Sequence, residues 1–420
     1  MKANIISQDD KKIVMRVEIK LESNMLKTEE SIQQSLSHAG SLATEIALFR
    51  YDSNGNPIMI DNVKYTSKGQ IGKNYQTPYG EINLNRHVYQ SSQGGKTYCP
   101  LEKDAKIIAG STPKFAKMVS SKYSSNAARL VQKDLDENHG RYISKAYIKD
   151  ISDLVGQIAL EKVEKWNYLP PVSPDIVKVI GLGLDGTCMF MSKDGWREAM
   201  VGTIAFYGKE TNRLDTIYLS APPEYGKAKF ITSFENEINY IKSIYPDPNY
   251  VGIADGAKDN WTFLSKHTKC QILDFFHASE YVTNVADVVY SNKVKRKKWL
   301  TDSCHKLKHE ENGAKELLAE FIEYRKKRLS KRKQAKLESS ITYFTNNHLR
   351  MNYNEYIKSE YPIGSGVTEA ACKVIIKQRL CNSGMKWKQQ GAESVLCLRA
   401  LNYSSDRWGQ MWNKISRYGI

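Results

Sequence analysis

Three acidic residues in separate parts of the chain have a context suited to binding divalent metal ions. Asp185 follows the apolar run VIGLGL, Asp255 ends the short apolar run VGIA, and Glu369 lies within YPIGSGVTEAACK. A carboxylate among apolar residues is costly unless it is paired, hydrogen-bonded or bound to a metal. Mg²⁺ prefers such oxygen ligands, and two such ions can promote in-line displacement at a phosphate. The trio therefore predicts a metal-dependent phosphoryl-transfer site.

Different elements would have to position these acids. The strings TCMFM, SKDG and WREAMVGTIAFYG predict a strand, a hairpin turn and a returning strand around Asp185. Asp255 is expected at the end of a short strand, before a glycine and a helix. Glu369 is expected in the first turns of a helix capped near Ser365 or Gly366. An Asp–Gly pair alone is usually a turn, so the prediction depends on all three contexts.

Two stretches resemble nucleotide-binding motifs in their glycine pattern but lack other features that those motifs require. The stretch Gly181–Gly186 fits G-x-G-x-x-G, but that fingerprint requires a helix directly after it, and a hairpin is predicted instead. GGKT at Gly94–Thr97 lacks the first glycine of a P-loop, because Gln90 occupies its position. His305 and His309 are one helical turn apart, yet no further ligand at zinc spacing accompanies them. We predict no nucleotide cofactor and no zinc site, and we expect the two histidines on an exposed helix face.

Composition favours a reduced protein with a polyanionic partner. The seven cysteines are scattered and form no C-x-x-C pair, which is typical of a chain without disulfides. The formal net charge is +16 and the isoelectric point about 9.2, as in many nucleic-acid-binding proteins. The segment Lys293–Lys336 alone carries 16 basic and 6 acidic residues. A charge run is usually a solvated helix surface, but because most of the excess lies here we favour a DNA-facing element.

The pattern along the chain predicts five regions. They are 1–112 (an N-terminal α+β region), 113–167 (helical, with DNA-binding potential), 176–271 (the first part of a core), 272–360 (a basic helical insertion) and 361–420 (C-terminal core helices). A strand is expected over 12–22, a helix over 26–50 and a strand-rich block from 176 to about 254. The proline-rich YLPPVSPD reads as a linker between the helical region and the core.

The helical pair at 127–157 allows two interpretations. A helix, a polar turn with His139–Gly140 and a second helix opening at Ser144 fit a helix-turn-helix reader of DNA. An ordinary helical hairpin has the same pattern. No apolar run approaches the roughly 18 residues of a membrane span, and the N-terminus lacks the apolar block of a signal peptide. We expect a cytoplasmic, nucleoid-associated protein with no membrane partner.

Several strings resemble one known family, the Kra-type insertion-sequence transposases, which are bacterial DDE transposases with Mutator-like relatives. The strings are GLGLDGT, GIADGAKDNW, ILDFFHASEY, YPIGSGVTEAACK and NSGMKWKQQGAESVLCLRA, with STPKFAK and NHGRYIS upstream. The resemblance covers about residues 75–412. Its longest part, residues 361–399, is the most distinctive.

The resemblance implies an RNase H-like fold of the α+β or α/β class. A mixed sheet flanked by helices would be interrupted by the helical insertion, with an N-terminal α+β region and a helical DNA-binding region. Carried over by position, Asp185, Asp255 and Glu369 become the metal-binding triad for two Mg²⁺ ions, with Mn²⁺ as a substitute. Asp274 and His277 match a C/D-x-x-H motif. His277 would lie near the scissile phosphate, although it could also be a helix-start histidine.

Other side chains are candidates for contact with double-stranded DNA. Nine basic residues of the insertion and of the helix after Glu369 are expected to bind phosphates: Lys295, Arg296, Lys297, Arg325, Lys326, Arg328, Lys373, Lys377 and Arg379. Trp261 and Trp299 could stack on bases, but core packing is the safer interpretation for both.

Our hypothesis is a DNA transposase that cuts the ends of an insertion sequence and joins the resulting 3′-hydroxyl to target DNA by two-metal phosphoryl transfer. Asp185 would bridge both ions, and Asp255 and Glu369 would each complete one shell. Paired element ends imply at least a homodimer on DNA. Two alternatives stay open. One is a structure-specific nuclease of the resolvase type, and the other is a non-catalytic basic DNA-binding protein.

Overall fold

The computed structural model describes residues 2–162, 166–171, 173 and 175–419. The fold contains both α-helices and β-strands. Contacts divide the chain into two compact units. The first comprises Met1–Tyr168, Gln390–Asn402 and Arg407–Ile420, and the second comprises Leu169–Gln389 and Tyr403–Asp406. All three candidate acids lie in the second unit.

The first unit begins with two antiparallel sheets and one long helix. Its elements are β1 (Lys2–Gln8), β2 (Ile13–Glu18), α1 (Met25–Phe49), β3 (Ile58–Ile60), β4 (Val63–Gln76), β5 (Glu81–Ser91) and β6 (Gly94–Tyr98). β1 pairs with β2, and the other four strands form a sheet in chain order. Buried residues such as Tyr75, Ile82 and Leu84 form the core of this part. The predicted strand over 12–22 and helix over 26–50 are confirmed to within a few residues.

Four helices follow in the first unit. They are α2 (Pro100–Asp104), α3 (Pro113–Ser125), α4 (Ala128–His139) and α5 (Lys145–Glu161). Gly140 ends α4 with a left-handed backbone, and the Ser144 side chain caps α5 by accepting from the Tyr147 amide. The predicted helix–turn–helix pairing is therefore present, and whether it reads DNA stays a prediction.

The second unit is built on a five-stranded mixed sheet. Its elements up to the insertion are β7 (Val179–Met191), β8 (Gly195–Tyr207), β9 (Arg213–Ala221), α6 (Ala228–Ile244), β10 (Asn249–Ala254), α7 (Lys258–His267) and β11 (Cys270–Leu273). The strand order is β11-β10-β7-β8-β9. β7, β8 and β9 are antiparallel neighbours, and β10 and β11 run parallel to β7.

Two sequence expectations for this block have different outcomes. The stretch Gly181–Gly186 lies inside β7 and opens no helix, so the strand and hairpin predicted around it are confirmed. The block 176–254 is not uniformly strand-rich, because α6 interrupts it. The buried residues of α6 recur at helical spacing. They are Phe230, Phe234, Ile238 and Ile241.

Helices cover both faces of this sheet at glycine positions. Phe234 of α6 packs on Gly202 of β8, and Leu264 of α7 packs on Gly252 of β10. On the opposite face, a β-carbon added at Gly183 would lie 1.9 Å from Thr368 Oγ1. Since side chains alternate along a strand, Asp185 lies on the same face as Gly183.

The rest of the second unit is helical, as predicted for 272–360. Its helices are α8 (Phe275–Val289), α9 (Lys293–His309), α10 (Gly313–Glu323), α11 (Lys331–Asn347), α12 (Tyr353–Lys358), α13 (Gly366–Ala371), a π-helix (Cys372–Lys377) and α14 (Gln378–Leu380). The chain ends with α15 (Gln389–Tyr403) and α16 (Arg407–Tyr418). Contacts assign most of these last two helices to the first unit, whereas the sequence grouped 361–420 as one region. Among the described residues no helix has the length and apolar character needed to cross a membrane.

Candidate carboxylate site

Asp185 lies on the face of β7 that α13 covers. Thr203 Oγ1 and Thr368 Oγ1 are 2.8 Å apart and hydrogen-bond across this contact. The glycine two residues before Asp185 admits the helix at close range. As a result, the helix that carries Glu369 is held directly against the strand that carries Asp185.

Asp255 and Asp185 occupy equivalent positions on neighbouring strands. Ile253 pairs with Gly183 in the parallel ladder between β10 and β7, and each acid lies two residues further along its chain. Neighbouring strands are about 4.8 Å apart, so Asp185, midway along β7, and Asp255, directly after β10, lie side by side. Asp255 Oδ1 accepts a hydrogen bond from the Ala257 amide at 3.1 Å.

Glu369 lies on α13, the helix that packs on this face of β7. Ser365 Oγ donates a hydrogen bond to Glu369 Oε1 at 2.9 Å. His277 Nε2 lies 3.2 Å from the same oxygen. The carboxylate itself is half exposed, at 50% of its side-chain surface, so its second oxygen can face a ligand.

Electrostatics link the three acids. Burial raises the pKa of Asp185 above its ordinary value, hydrogen bonds from Gly186 and Cys372 oppose that shift, and the charges of Asp255 and Glu369 add to it. The Gly186 amide donates to Asp185 Oδ1 at 2.7 Å, and Cys372 Sγ donates to Oδ2 at 3.4 Å. Burial and the charge of Asp185 in turn raise the pKa of the Cys372 thiol, which keeps it protonated and able to donate.

Asp274 joins the end of β10, the start of α8 and the residue that precedes α13. It is only 1% exposed, and its backbone amide donates to the carbonyl of Ala254, the last residue of β10, at 2.9 Å. Its Oδ1 accepts from the His277 amide at 2.9 Å, and its Oδ2 accepts from the Ser365 amide. The motif Asp274–His277 therefore has two parts. Asp274 is a buried scaffold, and the His277 side chain contacts Glu369.

The chemistry of this site suits a divalent cation, although the side chains are not closed around one. Among the described residues no group of three or more His, Cys, Asp or Glu side chains is arranged to hold a metal ion. The donor set nevertheless consists of three carboxylates, and the charges of two of them raise the proton affinity of the third, Asp185. Hard cations such as Mg²⁺ prefer oxygen donors of this kind. The residues fit the expected ions in donor type and charge.

The predicted DNA-binding residues fall into three groups. Lys295, Lys297, Arg328, Lys373 and Lys377 are exposed. Three others form ion pairs within the second unit: Arg296 with Asp287, Arg325 with Glu338 and Lys326 with Glu323. Arg379 alone makes up the third group.

Arg379 does not fit the DNA-binding prediction. It is 2% exposed, and its guanidinium lies 5.2 Å from the ring centre of Trp387. A side chain buried in this way cannot reach a phosphate on the surface. Its position on the buried side of the short helix α14 makes it a packing residue.

The two candidate tryptophans pack in or against the core, and the two candidate histidines lie on a helix surface. Trp261 is buried, with the Arg350 guanidinium 4.8 Å from its ring centre. Trp299 Nε1 donates to Glu320 Oε1 at 2.9 Å, and its ring packs against the core. His305 and His309 lie on a solvent-facing side of α9. Core packing of both tryptophans is confirmed, and the histidine pair keeps its predicted place on a helix surface.

Sequence reasoning missed three residues of this site. Cys372 is three residues after Glu369 and therefore on the same helix face, a signal that the sequence offered. Ser365 was considered only as a helix cap, yet its hydroxyl contacts Glu369. Tyr343, whose hydroxyl donates to the carbonyl of Asp255 at 2.7 Å, comes from the insertion and had no signal in the sequence.

Comparison with known proteins identified no family for this chain. No protein-family model matches the chain, and no curated protein is similar enough in sequence to count as a match. The motif resemblance and the carboxylate site itself are therefore the two supports for a functional proposal.

Proposed function

We propose that this chain is a DDE transposase of a bacterial insertion sequence, of the Kra type with Mutator-like relatives. It would cut the ends of the element and join the 3′-hydroxyl to target DNA. The observation that carries the proposal is the placement of Asp185 and Asp255 side by side on adjacent strands, with Glu369 on the helix that packs against β7. Carboxylates from a strand, a strand end and a helix are the arrangement that the resemblance implies.

The order of the strands supports an RNase H-like core. Three consecutive antiparallel strands, β7, β8 and β9, are followed by β10 and β11, which lie parallel to β7 on its other side. The first acid is on the first strand, the second follows the fourth, and the third is on a helix after the fifth. The helical insertion separates the second acid from the third.

Asp185, Asp255 and Glu369 would hold two Mg²⁺ ions, with Mn²⁺ as a substitute. When bound, such ions supply positive charge to the attacking and leaving oxygens of a phosphodiester. The chain's own residues orient the ligands: Gly186 and Cys372 fix Asp185, while Ser365 and His277 fix Glu369. Positioning and charge stabilisation account for the reaction without a covalent enzyme intermediate.

Double-stranded DNA is the proposed partner, as element ends and as target. The exposed lysines and arginines of the insertion supply the charge that phosphates require. A homodimer or larger assembly would pair two ends, and the nucleoid of the cytoplasm is the expected location. A nuclease on the same fold would use the same acids and leave no joined product.

The test is a comparison of Asp185→Asn with the unaltered chain on labelled element-end DNA in Mg²⁺. Loss of the first carboxylate should lower end cleavage by at least about a hundredfold, since metal-assisted charge stabilisation is worth several kcal/mol. The melting temperature should not fall, because the change removes a half-buried charge. Full cleavage by the variant would refute the metal site, and cleavage by the unaltered chain without strand-transfer product would favour the nuclease.

A further inference from the structure

We propose that Tyr343 is a positioning residue that fixes Asp255 and couples the basic insertion to the carboxylate site. The inference rests on the proposed function, because it names a device that regulates the same site. Tyr343 is on α11, within the insertion, whereas Asp255 follows β10 of the sheet. The Tyr343 hydroxyl donates a hydrogen bond to the Asp255 carbonyl oxygen at 2.7 Å.

The backbone after Asp255 is shaped to receive this ring. Gly256 has φ +112, in the region that favours glycine, and a β-carbon there would lie 3.0 Å from Tyr343 Cε2. The tyrosine ring therefore lies directly against the peptide that follows the acid. Any larger residue at 256 would force the ring and the loop apart.

A second aromatic ring holds Tyr343 in place. Tyr281 stacks on it with ring centres 3.7 Å apart and planes 11° from parallel. Tyr281 is on α8, one turn after His277. The stacked pair thus packs α11 against α8, the helix whose histidine contacts Glu369. Tyr343 itself contacts Asp255, so this aromatic pair lies between the elements that position two of the three acids.

A phenol hydroxyl suits this contact because it donates a hydrogen bond without carrying charge. Tyr343 can therefore satisfy the carbonyl of Asp255 without adding charge to a site that already holds three acids.

The same helix connects this contact to the basic surface. Lys331 and Arg332 are exposed at the start of α11. At 1.5 Å per residue they lie roughly 18 Å along the helix axis from Tyr343. A rigid helix of this kind can carry a displacement caused by bound DNA to the loop that holds Asp255, and Tyr343 is the residue of α11 whose side chain donates a hydrogen bond to that loop.

The experiment compares two tyrosine-to-phenylalanine variants of the full chain. Tyr343→Phe removes only the hydroxyl that reaches Asp255. Tyr250→Phe is the matched control, because its hydroxyl also donates to a backbone carbonyl, that of Tyr245, at 2.7 Å in a partly buried position. Mn²⁺ affinity would be measured by isothermal titration, and hydrogen exchange would be followed at the amides of residues 255–257 with and without duplex DNA.

We expect Tyr343→Phe to weaken Mn²⁺ binding by about 10- to 100-fold, as is usual when a residue that orients a ligand is removed. Exchange at 255–257 should become faster, and DNA should protect these amides in the unaltered chain but not in the variant. Tyr250→Phe should leave all three readouts unchanged. Unchanged Mn²⁺ affinity and exchange in Tyr343→Phe, or equal effects in both variants, would overturn the inference.

Failure of the proposed function would look different. If the unaltered chain bound no Mn²⁺ and cleaved no DNA, the transposase proposal would fall, and with it the regulatory role. The exchange data would still decide whether Tyr343 holds the loop, because that readout requires no bound ion.

Discussion

The two aspartates of the site are oriented by donors that carry no charge. Asp185 accepts from the Gly186 amide and the Cys372 thiol, and Asp255 accepts from the Ala257 amide. Neutral donors fix direction without cancelling the repulsion between the acids. A cation would relieve this repulsion, which is the physical reason to expect ions beside the two aspartates.

Arg379 allows a test that separates packing from DNA contact at a single residue. Arg379→Ala should lower the free energy of unfolding by roughly 2 kcal/mol, since it empties a buried position stacked on Trp387. The DNA affinity of the folded variant should be unchanged. Chemical denaturation and a DNA-binding isotherm below the unfolding transition would measure both. The control is Lys373→Ala, an exposed residue expected to show the reverse pattern.

At the scale of elements, the contact between β7 and α13 sets the separation of Asp185 from Glu369. Gly183→Ala should destabilise the second unit by about 1–3 kcal/mol, because a β-carbon there overlaps Thr368. Cleavage should fall further than stability explains, since α13 must move away from the strand. The double variant Gly183→Ala with Thr368→Ala should regain part of both, and an additive loss would contradict this account.

The insertion should dominate the salt dependence of DNA binding. Replacing Lys295, Lys297 and Arg328 with Gln should reduce the slope of log K against log salt by up to about 2.7, or roughly 0.9 for each phosphate that is no longer neutralised. Binding isotherms at several salt concentrations would measure the slope. The matched control changes three exposed lysines of the first unit: Lys11, Lys64 and Lys68. An equal effect of both triple variants would mean that charge acts without regard to position.

Elements with a clear period were predictable from the sequence, and contacts between distant elements were not. Alternating residues and a polar turn located β7 and β8, and the cap at Ser365 located α13. α6 was missed because its four buried apolar positions were counted as part of a strand-rich block. The contact of Tyr343 with Asp255 joins residues 88 positions apart, and no local pattern encodes such a pairing.

At the scale of the whole molecule, each compact unit has its own core. The large cluster between Val179 and Tyr356 belongs to the second unit, and a smaller one between Leu48 and Ile107 belongs to the first. The assignment of most of α15 and of α16 to the first unit was not predicted, because a helical pattern does not indicate which other elements a helix packs against. Separate cores predict that unfolding is not a single two-state transition.

Two carboxylates, Glu102 of the first unit and Asp185 of the second, should contribute to acid stability with opposite signs. Burial alone would raise the pKa of Glu102, but hydrogen bonds from Lys73 and Tyr75 and the charges of Lys73 and Arg86 outweigh it, so that the pKa is lowered from its ordinary value of 4.5. A carboxylate with a lowered folded-state pKa stabilises the fold above its unfolded pKa, and this contribution is lost as the pH falls through the folded value. Asp185 has the reverse sign, because its raised pKa makes protonation favour the folded second unit.

Scanning calorimetry at pH 7 and pH 4 should therefore show the transition of the first unit moving to lower temperature more than that of the second. Glu102→Gln should destabilise the first unit at pH 7 by roughly 2 kcal/mol, the usual value of hydrogen bonds to a charged group. The same variant should show a smaller shift between pH 7 and pH 4, because the titrating carboxylate is gone. If the variant kept the full pH dependence, acid sensitivity would have to come from other carboxylates, and the Glu102 network would not be the part of the first unit that titrates.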